Sequence, residues 1–513
     1  MIGSFEIKEK DLLGRIGKLT TKSGVLETPS LFPVINPLNQ IVPVQIIKEK
    51  LGFKAIMTNA YLMKKNIKNQ GSIPDVHQHL HYDQIIATDS GAYQILVYGQ
   101  IEVNPKEIVD FQEKINTDIG IILDIPTGFG IERKAAKVSV DQTLSNAEIS
   151  LKNTKRSDIL WVGPVQGGKY LDLVAYSAKN INKHPFPMVA LGSPTQIMER
   201  HLYKTLVDMM MTAKMNISLN KPIHLFGAGH PSMFALAIAC GYDTFDSAAY
   251  ALYAKDDRYM TPHGTLKLKD IHYFPCSCNV CKNTDPADIK KLPKEERAKI
   301  LAEHNLWVCK AEIRNIKQAI TEGRLWEHIH IRAHSHPSLY AAFKKFTSYE
   351  NFLTRHSPLY KKRGILYFST DDYHRPEITY YHNKLERDYT PPKEADTLIL
   401  FPQFQKRFKS LKLSRENARN HICLYGIPFG IIPQELEQVY PLSQVEIADK
   451  HETGSIHLVA DVVLRYIEQH PYKEIILFVP QKGPWGHLAL TVSKLSKKKG
   501  IKLDLKKYQI TSS

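Results

Sequence analysis

Apolar residues in the first half of the chain fall into short continuous runs separated by polar stretches of helical character. Eight runs read as strands, at residues 31–35, 54–58, 85–88, 120–123, 159–165, 187–191, 223–226 and 244–245. Continuous runs rather than alternating ones mark strands buried on both faces. Between them, segments 105–116, 139–151, 170–182, 196–215 and 231–240 carry apolar residues at helical spacing, most clearly Ile108, Phe111 and Ile115. Alternating strands and helices predict a parallel sheet. Eight units within roughly 250 residues predict a closed (β/α)8 TIM barrel. A doubly wound open sheet is the competing arrangement, but it often carries a glycine-rich phosphate loop after its first strand. Here the glycine-containing loops follow the third, fifth, sixth and seventh runs.

The pattern changes after the barrel. Residues 270–320 combine a cysteine cluster with a charged helix at 294–320. The stretch 338–396 is rich in Tyr, His, Lys and Pro and reads as a linking or surface-covering region. A smaller α/β unit follows, with strands at 397–401, 422–425 and 475–479, an amphipathic helix at 455–469 and a lysine-dense end at 494–507. The expected domains are therefore a barrel over 1–340 that includes the segment 270–320, a linker with a first accessory domain over 341–430, and a second small α/β domain with a basic tail over 431–513.

Composition adds one directional fact. Across 513 residues the formal charge is +16, which favours a polyanionic partner, nucleic acid before membrane. No apolar stretch approaches the ~18–20 residues of a membrane span, and the N-terminus lacks the layout of a signal peptide. A cytoplasmic location without membrane contact is the expectation.

Three strand-like runs each end on an aspartate, at Asp89, Asp124 and Asp246. In a barrel, strand C-termini converge on one mouth, so these carboxylates suggest acid/base or nucleophilic chemistry there. Asn59, Gln166 with Gly167-Gly168, Leu191-Gly192-Ser193 and Gly227-Ala228-Gly229 end other runs at the same edge. Glycines in these loops let a flat ligand or a sugar-phosphate backbone approach the main chain. His230 and Asp256-Asp257-Arg258 fit either ligand contacts or a helix entry and a solvated turn.

Of six cysteines, Cys276, Cys278 and Cys281 lie too close together for a disulfide framework and supply three soft ligands for a metal. A tetrahedral Zn²⁺ shell needs a fourth ligand. His304, on the following helix, is the favoured one, with His263, His272 and Cys309 as competitors. A closed four-ligand shell makes the zinc structural, with one ion per subunit.

The motifs Asp89-Ser90-Gly91-Ala92-Tyr93-Gln94, Val165-Gln166-Gly167-Gly168, Ala190-Leu191-Gly192-Ser193, Phe226-Gly227-Ala228-Gly229-His230-Pro231 and Phe245-Asp246-Ser247-Ala248 occur in this order before the cysteine cluster. Over about residues 1–340 the chain resembles the archaeal tRNA-guanine transglycosylases. The likeness runs more loosely beyond, as at Pro433-Gln434-Glu435-Leu436-Glu437-Gln438-Val439-Tyr440-Pro441.

The resemblance implies a barrel with a zinc-binding insertion and small α/β accessory domains. It implies exchange of guanine at position 15 of the tRNA D-arm for 7-cyano-7-deazaguanine through a covalent aspartyl-ribosyl intermediate, in archaeosine biosynthesis. It places Asp89 and Asp246 at the reacting centre, with Asp246 assigned as nucleophile and Asp89 as general acid/base. Asp124 would accept hydrogen bonds from the base. Gln166, Gly168 and the backbone around Ala190, Leu191 and Gly192 would read its carbonyl edge, and Tyr93 would stack on it. A homodimer is implied as well. Family members commonly carry a C-terminal RNA-binding PUA domain, and this sequence stops near where one would begin. The expectation is that docking uses the basic tail and the smaller α/β unit, or a separate PUA-domain protein. The paralogous archaeosine synthase and a non-catalytic tRNA-binding subunit are the competing functions. Both reacting-centre aspartates and the base-reading motifs are present, which disfavours them.

Overall fold

A computed structural model describes residues 1–67, 74–92, 104–403, 418–448, 450–481 and 485–508. The chain falls into two compact units, Met1–Phe346 and Thr347–Ser513.

The first unit opens with an antiparallel sheet of β1 (Phe5–Asp11), β2 (Gly14–Thr21) and β3 (Gly24–Thr28). The apolar pattern does not announce it. Strand β1 carries five charged residues and buries only Asp11, so its sequence looks like a polar leader. Eight parallel strands follow: β4 (Ser30–Pro33), β5 (Ala55–Asn59), β6 (Ile85–Asp89), β7 (Ile119–Ile121), β8 (Leu160–Val165), β9 (Met188–Leu191), β10 (Ile223–Leu225) and β11 (Thr244–Ser247). Their spatial order is β4-β11-β10-β9-β8-β7-β6-β5. A parallel bridge between Val34 and Met57 joins the two ends and closes the barrel.

Period-two alternation fills the interior. Ala55 and Met57, Ile85 and Ala87, Ile119 and Ile121, Leu160 and Val162, Met188 and Ala190 form one buried cluster with Phe32. Leu19 and Leu26 of the antiparallel sheet belong to the same cluster, so that sheet packs on the barrel core.

The helices fall where the spacing predicts them, with one break. The expected helix at 196–215 is two, Thr195–Glu199 and Tyr203–Met215. His201 between them has φ +55°, a left-handed turn that ends the first helix. After β11 come the hairpin of β12 (Arg258–Thr261) and β13 (Gly264–Lys267), then the helix Lys294–Glu322.

The second unit holds β14 (Ile365–Tyr367), β15 (Thr397–Pro402), β16 (Asn420–Gly426), β17 (Gly430–Pro433), β18 (Val445–Ile447), β19 (Glu474–Pro480) and β20 (Asp504–Tyr508). Five of them form one sheet in the order β17-β16-β15-β19-β20, with β17 antiparallel to β16. The helix Thr453–Gln469 contributes Val459, Val463 and Leu464 to its core. Residues 338–396, read from the sequence as a linking or surface-covering region, contain the helices Glu350–His356 and Pro376–Arg387. Ile378, Tyr381 and Leu385 bury one face of the latter, and the abundant Tyr and His between them hid that periodicity. Among the described residues no helix is long and apolar enough to cross a membrane.

Candidate active site

Asp246 lies near the end of β11, at the barrel mouth. Its Oδ1 accepts hydrogen bonds from the Gly227 backbone N–H at 2.9 Å and from His224 Nε2 at 3.0 Å. The His224 ring is buried between Phe32 and Phe226, and its Nδ1 lies 2.9 Å from Thr244 Oγ1. With the Thr244 hydroxyl donating to Nδ1, Nε2 carries the proton that Asp246 accepts. Asp246 Oδ2 bonds to no described residue, so one oxygen is anchored and the other stays uncommitted.

Asp89, at the end of β6, has a different environment. Its Oδ2 accepts from Asn59 Nδ2 at 3.1 Å, while Asn59 Oδ1 takes the Leu62 N–H at 2.9 Å. Burial, reinforced by the charges of Asp124 and Asp246, pushes the Asp89 carboxyl up to about 7, against the pull of the Gly91 and Ser90 N–H groups. Asp89 therefore keeps its proton well above the ordinary carboxylate range, and it feels the charges of both other carboxylates.

Asp124 follows β7 and is buried. Burial raises its carboxyl to about 6, partly offset by the Gln166 amide, whose Nε2 donates to Oδ2. Gln166 itself is fixed from the other side. Its Oε1 accepts from Thr127 N at 3.1 Å and from the Ser193 hydroxyl at 2.7 Å, and Gly167 N donates to Thr127 Oγ1 at 3.1 Å. The loops after β7, β8 and β9 are thus tied into one frame. Gly192 is required there, because a Cβ would lie 2.2 Å from Gln166 Nε2. Gly168 has φ +54°, a backbone conformation that favours glycine. Leu191 ends β9 and Ala190 faces the barrel core. Tyr93 lies outside the described residues.

A second cluster lies beyond the barrel strands. Ligand atoms of Cys276, Cys278, Cys281 and His304 all lie within 4.8 Å of one another. His304 is fully buried, stacks on Tyr259 with ring centroids 3.6 Å apart, and directs Nε2 to the Met260 carbonyl at 2.9 Å. That bond places the proton on Nε2 and leaves Nδ1 as the ligand atom, 3.3 Å from Cys281 Sγ and 3.5 Å from Cys278 Sγ. The donor set and its spread fit a tetrahedral metal with sulfur ligands. Of the competing fourth ligands, Cys309 lies elsewhere, with Sγ 3.8 Å from the Gly229 carbonyl. His263 and His272 are not part of the cluster.

A family model described as queuine tRNA-ribosyltransferase matches residues 10–338. The chain belongs to that family. A domain of unknown function (DUF5591) matches residues 378–499, within the second unit. The chain is 42% identical over 491 residues to a protein of Sulfolobus acidocaldarius named tRNA-guanine(15) transglycosylase, covering 94% of this chain and 96% of that protein. It is 41% identical over 499 residues to the protein of the same name in Saccharolobus solfataricus, covering 93% and 97%. Against the Methanocaldococcus jannaschii protein of that name it is 40% identical over 455 residues, covering 87% of this chain and 69% of the relative.

For a tRNA-ribosyltransferase the mouth contains more than the motifs announced. His224 and Thr127 escaped the sequence reading. The available signal was a histidine inside the otherwise apolar run 223–226, beside a glycine loop. Two ambiguous residues resolve as structural. The side chain of His230 caps the helix Pro231–Ala239, and Asp257 pairs with Arg297 at 2.8 Å.

Proposed function

We propose that this tRNA-ribosyltransferase exchanges guanine at position 15 of tRNA for 7-cyano-7-deazaguanine, in archaeosine biosynthesis, with Asp246 as nucleophile and Asp89 as general acid/base. The observation that carries the assignment is the contrast between the two carboxyls. Asp246 is oriented through Oδ1 with Oδ2 uncommitted, whereas Asp89 is held near 7 and can carry a proton. In the first step Asp246 Oδ2 bonds to ribose C1′ as the C1′–N9 bond breaks, and Asp89 gives its proton to the departing guanine. In the second, Asp89 takes the N9 proton of the incoming base, whose N9 displaces Asp246 from C1′. One glycosidic bond is broken and one is made, so no external energy source enters. Asp124 accepts from the base's N1–H and 2-amino groups. Gln166, Gly168 and the Ala190–Leu191–Gly192 main chain face its carbonyl edge, and Tyr93 supplies the stacking surface.

Zinc is the metal this reading assigns to Cys276, Cys278, Cys281 and His304, as a structural ion with no open position. A cytoplasmic homodimer completes the proposal. Incubating tRNA transcript with labelled 7-cyano-7-deazaguanine should place label at position 15, and Asp246→Asn should abolish both incorporation and the covalent adduct. An adduct that survives in Asp246→Asn but vanishes in Asp89→Asn reverses the two roles. Wild-type protein that incorporates nothing, even with a PUA-domain protein added, rejects the proposal.

A further inference from the structure

The loop tied to the base-reading frame carries a second feature, on the β7–β9 side of the mouth. Phe129 is half-buried, and its N–H donates to Gln196 Oε1 at 2.8 Å. Two residues earlier, Thr127 N donates to Gln166 Oε1 and, at 2.8 Å, to Ser193 Oγ. The Phe129 main chain is therefore held in fixed relation to the Asp124–Gln166 pair. Two cations lie over the Phe129 ring, the Lys169 ammonium 5.4 Å and the Arg200 guanidinium 4.9 Å from its centroid. Lys169 also lies 5.5 Å from the Tyr170 ring, whose hydroxyl is anchored on the Ile131 carbonyl at 2.9 Å.

Both cations are exposed, and neither is ion-paired with a carboxylate among the described residues. Their neighbour Arg133, by contrast, is neutralised by Asp172. Two unneutralised cations on one aromatic support repel each other unless an anion joins them. Cation–π contact at exposed sites returns only about 0.5–1 kcal/mol each, so the ring fixes their position more than it stabilises them. They follow β8 and the short helix after β9, on the rim of the same barrel mouth that holds Asp124 and Gln166. A free base brings no charge to that rim, whereas a base still attached to its polynucleotide brings phosphates.

We propose that Lys169 and Arg200, positioned on Phe129, bind backbone phosphates of the tRNA beside the nucleotide whose base is exchanged. This rests on the tRNA-exchange reading above for the identity of the polyanion. The structural alternative is that the two cations merely cover an aromatic ring.

The test is binding of unmodified tRNA transcript to full-length wild type and to the double variant Lys169→Ala/Arg200→Ala, by fluorescence anisotropy across a salt series. Thermal melts of both proteins confirm folding. Loss of two phosphate contacts should weaken binding at low salt by about tenfold or more and flatten the slope of log affinity against log salt by about 1.4–1.8. Lys169→Arg/Arg200→Lys, which keeps both charges, should restore most of the slope. A folded Ala/Ala double variant with the wild-type affinity and slope overturns the proposal. The two readings fail separately. Wild type that binds tRNA with the steeper slope yet incorporates no base leaves this site standing and removes the exchange reaction. Normal exchange with no difference between wild type and the double variant does the reverse.

Discussion

Chemically identical side chains acquire different properties within a few residues of one another. Asp243 precedes β11 and Asp246 lies within it, yet Asp243 is locked in a buried bidentate pair with Arg15, at 2.7 Å through both oxygens. Asp246 is anchored by His224 and Gly227 through one oxygen alone. Asp89 and Asp124 are both raised by burial, to about 7 and about 6, and the roles proposed for them impose opposite requirements. Asp124 must be ionised to accept from the base, which fails as pH falls through about 6. Asp89 must be protonated to release guanine, which fails as pH rises through about 7. The expected outcome is a bell-shaped profile of kcat/KM for tRNA with its maximum between those values, the limbs belonging to the coupled carboxyls together. A flat profile from about pH 5 to 9 contradicts it. His224 acts through Asp246 as a positioning residue. His224→Ala removes a hydrogen bond to a charged group and should slow covalent adduct formation by about 10- to 100-fold, with the KM for the free base unchanged. His224→Gln, which can still offer an N–H, should recover part of the loss. Equal damage from both variants to melting temperature and rate would instead mark His224 as packing only.

Among the secondary-structure elements, the barrel was legible because its strands are buried on both faces and leave continuous apolar runs. Elements whose sequence is dominated by something other than burial were not. Strand β1 is hidden by its charges, the break at His201 carries no Gly or Pro to mark it, and the helix Pro376–Arg387 is masked by partly polar aromatics. At the site, residues announced by glycine loops or strand-ending acids could be found, while Thr127 and His224 could not. Their importance lies in partners contributed by other strands. The metal cluster was legible in its cysteines but needed the fold to choose His304. This cluster ties the turn after β13 to the helix Lys294–Glu322, and the same helix supplies Asn305, whose Oδ1 accepts the Met260 N–H at 2.8 Å. Cys281→Ser, or prolonged treatment with a strong chelator, should remove about one zinc per chain and lower the melting temperature. Metal analysis and calorimetry on the same samples check this. Full stability with no metal detected in wild type would show that the cluster holds itself together without an ion.

For the molecule as a whole, the formal charge of +16 supplies a contribution that no single contact explains. The exchange couples a polyanion of many phosphates to an uncharged base, and ionic strength separates the two. Each phosphate neutralised by lysine or arginine releases condensed counterions, so affinity for tRNA must fall steeply as salt rises. The base pocket works by other means. In the proposed reaction Asp124 and Gln166, which hydrogen-bond each other in a buried site, read a neutral ligand where screening has little reach. Raising salt from about 50 to 200 mM should therefore lower kcat/KM for tRNA by at least about tenfold, while the KM for 7-cyano-7-deazaguanine at saturating tRNA stays nearly constant. Steady-state kinetics with each substrate varied in turn decides it. Parallel loss for both substrates would mean that salt acts on the fold or on the reacting carboxyls. An unchanged tRNA term would mean that recognition rests on shape and direct hydrogen bonds, with the net charge serving some other purpose.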